Sequence, residues 1–227
     1  MTASTSMTHS TPPPRWHTAL LVAMIVAVAV AGTLLTAHRL PTQIVSESRA
    51  VSAYIPALMM QWGLFGYVAI VGRPRGEWRH LLGVETFTRG RIWGDAVAAL
   101  VCVALIAAMH RVATVHLGVG RAASMRAILP HSPLQHVEWI LVVVSAGICE
   151  EVVFRGYLLN QFTRIARNAF IGVALQAVLF GVAHLEQGPT HATLIAIDGA
   201  LLGTCAVARG GLRACFIAHI AINLLSA

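Results

Sequence analysis

Two glutamates stand side by side in the apolar run VVVSAGICEEVVFRG, at Glu150 and Glu151. An ionised side chain inside a membrane segment costs roughly 2.5–3.5 kcal/mol on insertion scales, so the pair needs a reason. Glu151 and Arg155 are spaced i,i+4 with the acid N-terminal, the favourable orientation for a helical ion pair. That pair has a sufficient structural explanation. Glu150 lies about 100° further round the helix, where Arg155 cannot easily serve it as well. An acid left there is a candidate general base. Two further i,i+4 pairs follow: Phe180 with His184, and His219 with Asn223. If the chain turns back between Arg164 and Asn168, Glu150 and His184 are each about 17 residues from the turn. Antiparallel helices then bring them to one depth, roughly 25 Å from it.

These residue types together suit amide hydrolysis. A glutamate takes a proton from water, helped by a histidine. A second histidine and an asparagine amide can donate hydrogen bonds to the oxyanion, Asn223 being better suited to donation than to proton transfer. A metal route is open too. His184, His219 and Glu150 make a two-histidine, one-carboxylate set of the kind that holds catalytic zinc, with water in the fourth position. The local HExxH arrangement is absent from the sequence. Cys149 adjoins Glu150, but no histidine lies close to it in sequence. Asp198 and Gln176 are expected to hydrogen-bond between helices. His110, His116 and His131 fall near expected loops, and Glu186, just past His184, is a candidate for a cavity rim.

The elements that must position these residues are membrane helices. Of 227 residues, 57% are hydrophobic and 11% charged, with a mean hydropathy of +0.72. Soluble domains carry roughly 25% charged residues. The composition therefore predicts an all-α, polytopic transmembrane bundle of about seven spans. The runs are near Ala19–Leu35, Val51–Val71 with a kink at Pro56, Trp93–Met109, His136 to beyond Leu158, Ala169–Leu185, His191–Ala208 and Leu212–Leu225. Each is near the ~20 residues that cross a bilayer core. Residues 1–16 read as a Ser, Thr and Pro-rich disordered tail, and 17–227 as one transmembrane domain with a catalytic core at about 136–227. The first run is longer than a usual signal-peptide core and follows a long polar lead, which favours an anchor. Arg121–Leu129 reads as a short interfacial helix ended by Pro130 and Pro133, and Gly199 with Gly203 as a close-packing face.

The net charge of +7 rests on arginine alone. With alternate connections assigned to opposite sides, eleven arginines fall on the side of the N-terminus and of the Gly72–Arg91 connection, and five on the other. The positive-inside rule puts the richer side in the cytoplasm. No basic stripe with interleaved aromatics is present, which excludes nucleic acid as a partner. Cys102, Cys149, Cys205 and Cys215 all fall in apolar runs with no CxxC spacing and read as small buried hydrophobes, not disulfides.

EEVVFRG (150–156), FGVAH (180–184) and HIAIN (219–223) resemble the motifs EExxxR, FxxxH and HxxxN/B of the CPBP intramembrane proteases, the CAAX prenyl protease and bacteriocin-processing family also called abortive-infection proteins. The resemblance runs from about Val137 to the C-terminus, and Gly199 and Gly203 fall where that family often has glycines. It implies a helical core with a conical cavity. It further implies that Glu150 and His184 activate water and that His219 and Asn223 stabilise the oxyanion, with Glu151, Arg155 and Phe180 supporting. Both metallo- and metal-free glutamate mechanisms have been described for the family, so a divalent metal such as zinc stays open as cofactor. The expected activity is intramembrane cleavage of a membrane-associated protein or peptide by a multi-pass protein. The arginine-only, alanine-rich composition points to a bacterial plasma membrane. Two other classes fit the same residues: a non-catalytic immunity or regulatory protein of this fold, and a proton-coupled transporter using the buried acid. The sequence carries no sign of oligomeric state.

Overall fold

The computed structural model describes residues 14–39, 53–72 and 88–226. Residues 1–13 of the tail expected at 1–16, and the arginine-rich stretch 73–87, lie outside the described residues; Arg15 and Trp16, expected in the tail, instead open the first helix. All regular structure among the described residues is helical. In chain order the helices are α1 (Arg15–Arg39), α2 (Ile55–Gly72), α3 (Arg89–Leu117), α4 (Ala123–Ile128) and α5 (Pro133–Glu150). A π-helical segment, Glu151–Leu158, continues α5 directly into α6 (Leu159–Ala166). Then come α7 (Ala169–Val182), a 3₁₀ turn at Leu185–Gln187, α8 (Pro189–Arg209) and α9 (Arg213–Leu225).

The ends follow local chemistry. Thr88 caps α3 by accepting from the Arg91 amide at 3.3 Å, and Ser132 caps α5 by accepting from Gln135, with Pro133 in the first turn. Asn168 caps α7 through the amides of Phe170 and Ile171. α3 ends at Gly118 and α8 at Gly210, both with positive φ. Nothing breaks the helix at Met109, so α3 runs on to Leu117 and carries His110 inside it. Pro56 kinks nothing, because it falls in the first turn of α2, where a missing N–H costs little.

Three helical stretches, Arg15–Thr36, Arg89–Leu117 and Pro189–Arg209, are long and apolar enough to cross a membrane. Ile55–Ile70, Ala169–Val182 and Arg213–Leu225 are shorter apolar helices. Their outer faces carry bare hydrophobes such as Trp93, Leu100, Ile70 and Phe170, the last 81% exposed. Apolar side chains spread so widely over the outside require lipid as their solvent, and the protein is a membrane protein.

Small residues set the interhelical distances that matter for the site. A Cβ on Gly147 in α5 would collide with the Ile220 side chain, so α9 lies directly against α5. A Cβ on Gly199 would meet Ala177 Cα and the Phe180 ring, both at 3.2 Å, and one on Gly203 would sit 2.5 Å from Gln176 Nε2. α7 and α8 are thus in close contact along the expected small-residue face. The buried Gln176 amide donates to Gly199 O at 2.8 Å across this contact. Within the stretch Arg121–Leu129 a short helix forms, α4.

Candidate active site

The widened helix begins at the glutamate pair. Leu159 N–H bonds to Phe154 O, five residues back, and all eight residues from Glu151 to Leu158 are buried. π-helical turns of this kind concentrate at functional sites because the extra residue re-aims side chains. Arg155 Nη1 donates to Glu151 Oε1 at 2.9 Å, and neither side chain is exposed at all. The expected ion pair is therefore present. It does more than hold the helix: the same Glu151 oxygen lies 2.7 Å from His219 Nδ1 on α9. A carboxylate held by a guanidinium can only accept there, so Nδ1 carries the hydrogen and Nε2 is the free nitrogen of His219. Nε2 stands 3.7 Å from Glu150 Oε2, beyond a direct hydrogen bond.

His184 follows the last turn of α7, where its backbone leaves the helix at φ −114°. Its Nδ1 lies 2.8 Å from Phe180 O. A carbonyl only accepts, so again Nδ1–H is donated and Nε2 keeps its lone pair. Phe180 is the hub between these groups. Its ring meets Phe154 and His184 edge-on, each at 4.9 Å, and His219 at 6.0 Å. The Arg155 guanidinium carbon lies 4.2 Å from the ring centroid. The ring is thus a wall that fixes two imidazoles, and its face carries a desolvated cation. Phe154 and Phe180 are each thirteen residues from Arg167, the turn residue at φ 53°, so the counting argument for a common depth holds for these two.

A cavity of about 640 Å³ opens beside this group. Phe180, His184, His219 and Asn223 line it, as do His110, Asp198, Gln187 and His191. Glu150 is not on its wall; the side chain is 18% exposed and reaches the group through His219. Among the described residues no hydrogen bond or ion pair joins Glu150 to His184, so the acid's nearest histidine is His219, not His184 as expected. The reason is the packing of α9 on α5 through Gly147, which a count along the α5–α7 hairpin alone cannot reveal.

The metal set fares differently from the metal-free one. Among the described residues no three His, Cys, Asp or Glu side chains are grouped as metal ligands. His184 and His219 each have one nitrogen committed to a fixed acceptor, which is the usual outer partnership of a metal-bound imidazole. Their free nitrogens and Glu150 do not converge on one point, so the residues do not fit a zinc ion in this arrangement.

Other sequence expectations can be placed. Asp198 does bond between helices, accepting from His110 Nε2 of α3 at 2.9 Å. His110 is thereby a cavity residue and not a loop one, while His116 and His131 are exposed. Gln187, not Glu186, lies on the cavity; Glu186 packs by its Cβ near Gly32 of α1. The four cysteines are buried and free. Two groups escaped the sequence reading. Asp95 of α3 holds Arg209 at 2.8 Å and Arg213 at 2.9 Å, the residues flanking the α8–α9 turn. A lone acid in an apolar run was the available signal. Tyr157 Oη meets His17 Nδ1 at 2.8 Å and Thr18 Oγ1 at 3.1 Å, tying α1 to the π-helical segment. Nothing local marked that contact, which spans about 140 residues.

No curated protein and no solved structure matches the chain. The family model described as type II CAAX prenyl endopeptidase Rce1-like matches residues 132–225, a stretch that holds all three motifs and runs from the start of α5 to the end of α9. Residues 132–225 are thus similar to an Rce1-like domain, in agreement with the CPBP-protease resemblance of the three motifs.

Proposed function

We propose that this chain is an intramembrane endopeptidase that cleaves a peptide bond of a membrane-associated protein or peptide, using water activated by Glu150 and no metal. The observation that carries this reading is the fixed chain Arg155–Glu151–His219, which ends with a free imidazole nitrogen 3.7 Å from Glu150. A gap of that size leaves two proton acceptors side by side, so that a proton taken by one can pass to the other.

The steps follow from the atoms. Glu150 takes one proton from the attacking water, and His184 Nε2, on the cavity wall, is a second acceptor reached through a relay water. The hydroxide adds to the substrate carbonyl carbon, and the oxygen becomes an oxyanion. The Asn223 amide donates to that oxyanion. The proton taken by Glu150 moves on to His219 Nε2, 3.7 Å away, whose N–H then also donates to the oxyanion, its ring held by Glu151. The carbon–nitrogen bond then breaks, and that proton passes from His219 Nε2 to the leaving amine, returning both groups to their starting state. Arg155 and Glu151 position these groups from outside the cavity, and Phe180 positions them from its wall.

The test uses full-length protein in detergent micelles or liposomes, without a proton gradient, and a diverse synthetic peptide mixture read by mass spectrometry. Cleavage by the wild type that Glu150→Gln reduces by about 10²–10⁴-fold supports the reading. If the wild type cleaves nothing while Glu150→Gln leaves the cellular phenotype unchanged, the chain is a non-catalytic protein of this fold. Proton-driven transport without cleavage would identify the transporter class. Dialysis against a strong chelator is expected to leave the cleavage rate unchanged. The natural substrate is expected to be a membrane-associated protein of a bacterial plasma membrane, identifiable by trapping on Glu150→Gln.

A further inference from the structure

The cavity holds more imidazole than the proposed reaction uses. His184 and His219 serve the chemistry; His110, 40% exposed by its side chain, lines the same cavity from α3. Its Nε2 lies 2.9 Å from Asp198 Oδ2. Asp198 is 9% exposed, and its Oδ1 has no hydrogen-bond partner among the described residues. A carboxylate buried mid-helix at such cost, with one histidine as its partner, needs a reason beyond joining two helices. α8 is already held by Gln176 on Gly199 O and by Arg209 on Asp95. What the pair does fix is a ring: Nε2–H is donated to the carboxylate, and in the neutral form of the imidazole Nδ1 keeps a lone pair.

A peptide that enters an apolar cavity brings main-chain N–H groups that have lost their water. Each one left without an acceptor costs on the order of 1–3 kcal/mol. Ile106, Val103, Ile195 and Leu202 around His110 offer none from their side chains. We infer that His110, oriented by Asp198, is a substrate-binding residue whose Nδ1 accepts a main-chain N–H of an extended peptide to one side of the scissile bond. The inference rests on the peptidase reading and adds a binding subsite to it. Asp198 is then a positioning residue, acting through His110.

The test starts from the best-cleaved peptide of the mixture. A set of copies carries an N-methyl group at one main-chain nitrogen each, which removes one N–H at a time. In the wild type, one such methylation is expected to raise KM about tenfold with little change in kcat. His110→Ala is expected to raise KM for the parent peptide by about the same factor, and to show less than about a twofold further penalty from that methylation. Asp198→Asn should give a smaller rise, because the amide still holds the ring less firmly. If His110→Ala accumulates poorly, His110→Phe keeps the bulk without the nitrogen and answers the same question. An unchanged methylation penalty in the His110 variant overturns the inference, as does an unchanged KM. Failure of the wild type to cleave any peptide is a different outcome: it removes the peptidase reading and this subsite with it.

Discussion

Two buried ionic groups hold this protein together, and they are built to opposite charge balances. At the α8–α9 turn, one carboxylate, Asp95, meets two guanidiniums, Arg209 and Arg213, whose side chains keep 29% and 17% of their surface exposed. At the start of the π-helical segment, two carboxylates, Glu150 and Glu151, stand with one guanidinium, Arg155, which is fully buried and pairs with Glu151. The first group has its cations at helix ends, where they can reach water. Nothing in it is left to react. In the second group the only cation serves Glu151, and the imidazole between the two acids leaves Glu150 without a direct partner. The difference separates a clamp from a site. A fold stabilises its helix ends with direct ion pairs and keeps one carboxylate out of direct contact where a proton must move.

The sharpest test of that distinction exchanges carboxylates for their amides. Glu150→Gln should lower the cleavage rate by about 10²–10⁴-fold and leave the melting temperature within a few degrees. Asp95→Asn should do the reverse, with kcat nearly unchanged and a lower melting temperature. A Glu150→Gln variant that keeps its rate, or an Asp95→Asn variant that loses it without unfolding, would erase the contrast. Next in size is Arg155→Met. It strands Glu151 in a dry interior, and breaking a buried pair from one side costs about 3–5 kcal/mol. Most of that protein should fail to accumulate in membranes. The double variant Arg155→Met with Glu151→Gln should recover much of the accumulation and little activity, since a neutral amide holds His219 Nδ1 less firmly and no longer stabilises its protonated ring. Recovery of activity would show that Glu151 only balances Arg155.

Much of this was legible in the sequence because helices translate spacing into faces. The i,i+4 pairs Glu151–Arg155 and Phe180–His184 meet as the counting requires, by an ion pair and by a ring contact. The capped turn at Arg167–Asn168 falls inside the expected stretch. What could not be read is how the third helix joins the first two. His219 lies 68 residues from Glu151, and its approach is set by Gly147 facing Ile220, a fit of surfaces with no period of its own. The same limit hid Asp198 as the partner of His110, since neither residue's position fixes which face of α3 meets α8. The π-helical widening was also invisible, because the run EVVFRGYL differs in no obvious way from an α-helical one.

Smaller effects refine the border between clamp and site. Phe180 touches both imidazoles and carries Arg155 over its face, so Phe180→Leu keeps an apolar wall and removes the ring. A desolvated cation–π contact is worth up to about 2 kcal/mol. The expected result is a stability loss of that order and a fall of about tenfold in kcat with KM nearly constant, as for a residue that orients without binding. Tyr157→Phe is the gentlest probe. It deletes the hydroxyl that meets His17 and Thr18 of α1 and leaves the ring packed in the core. Losing such a bond costs about 1 kcal/mol. If α1 only anchors the bundle, stability falls by that amount and the rate does not change. If α1 also sets the register of the π-helical segment, kcat falls as well, because Tyr157 lies two residues past Arg155 on the same widened turns. Comparing the kcat of Tyr157→Phe with that of an equally destabilised Asp95→Asn protein separates the two: equal rates place α1 with the clamp, and a lower rate in Tyr157→Phe places it with the site.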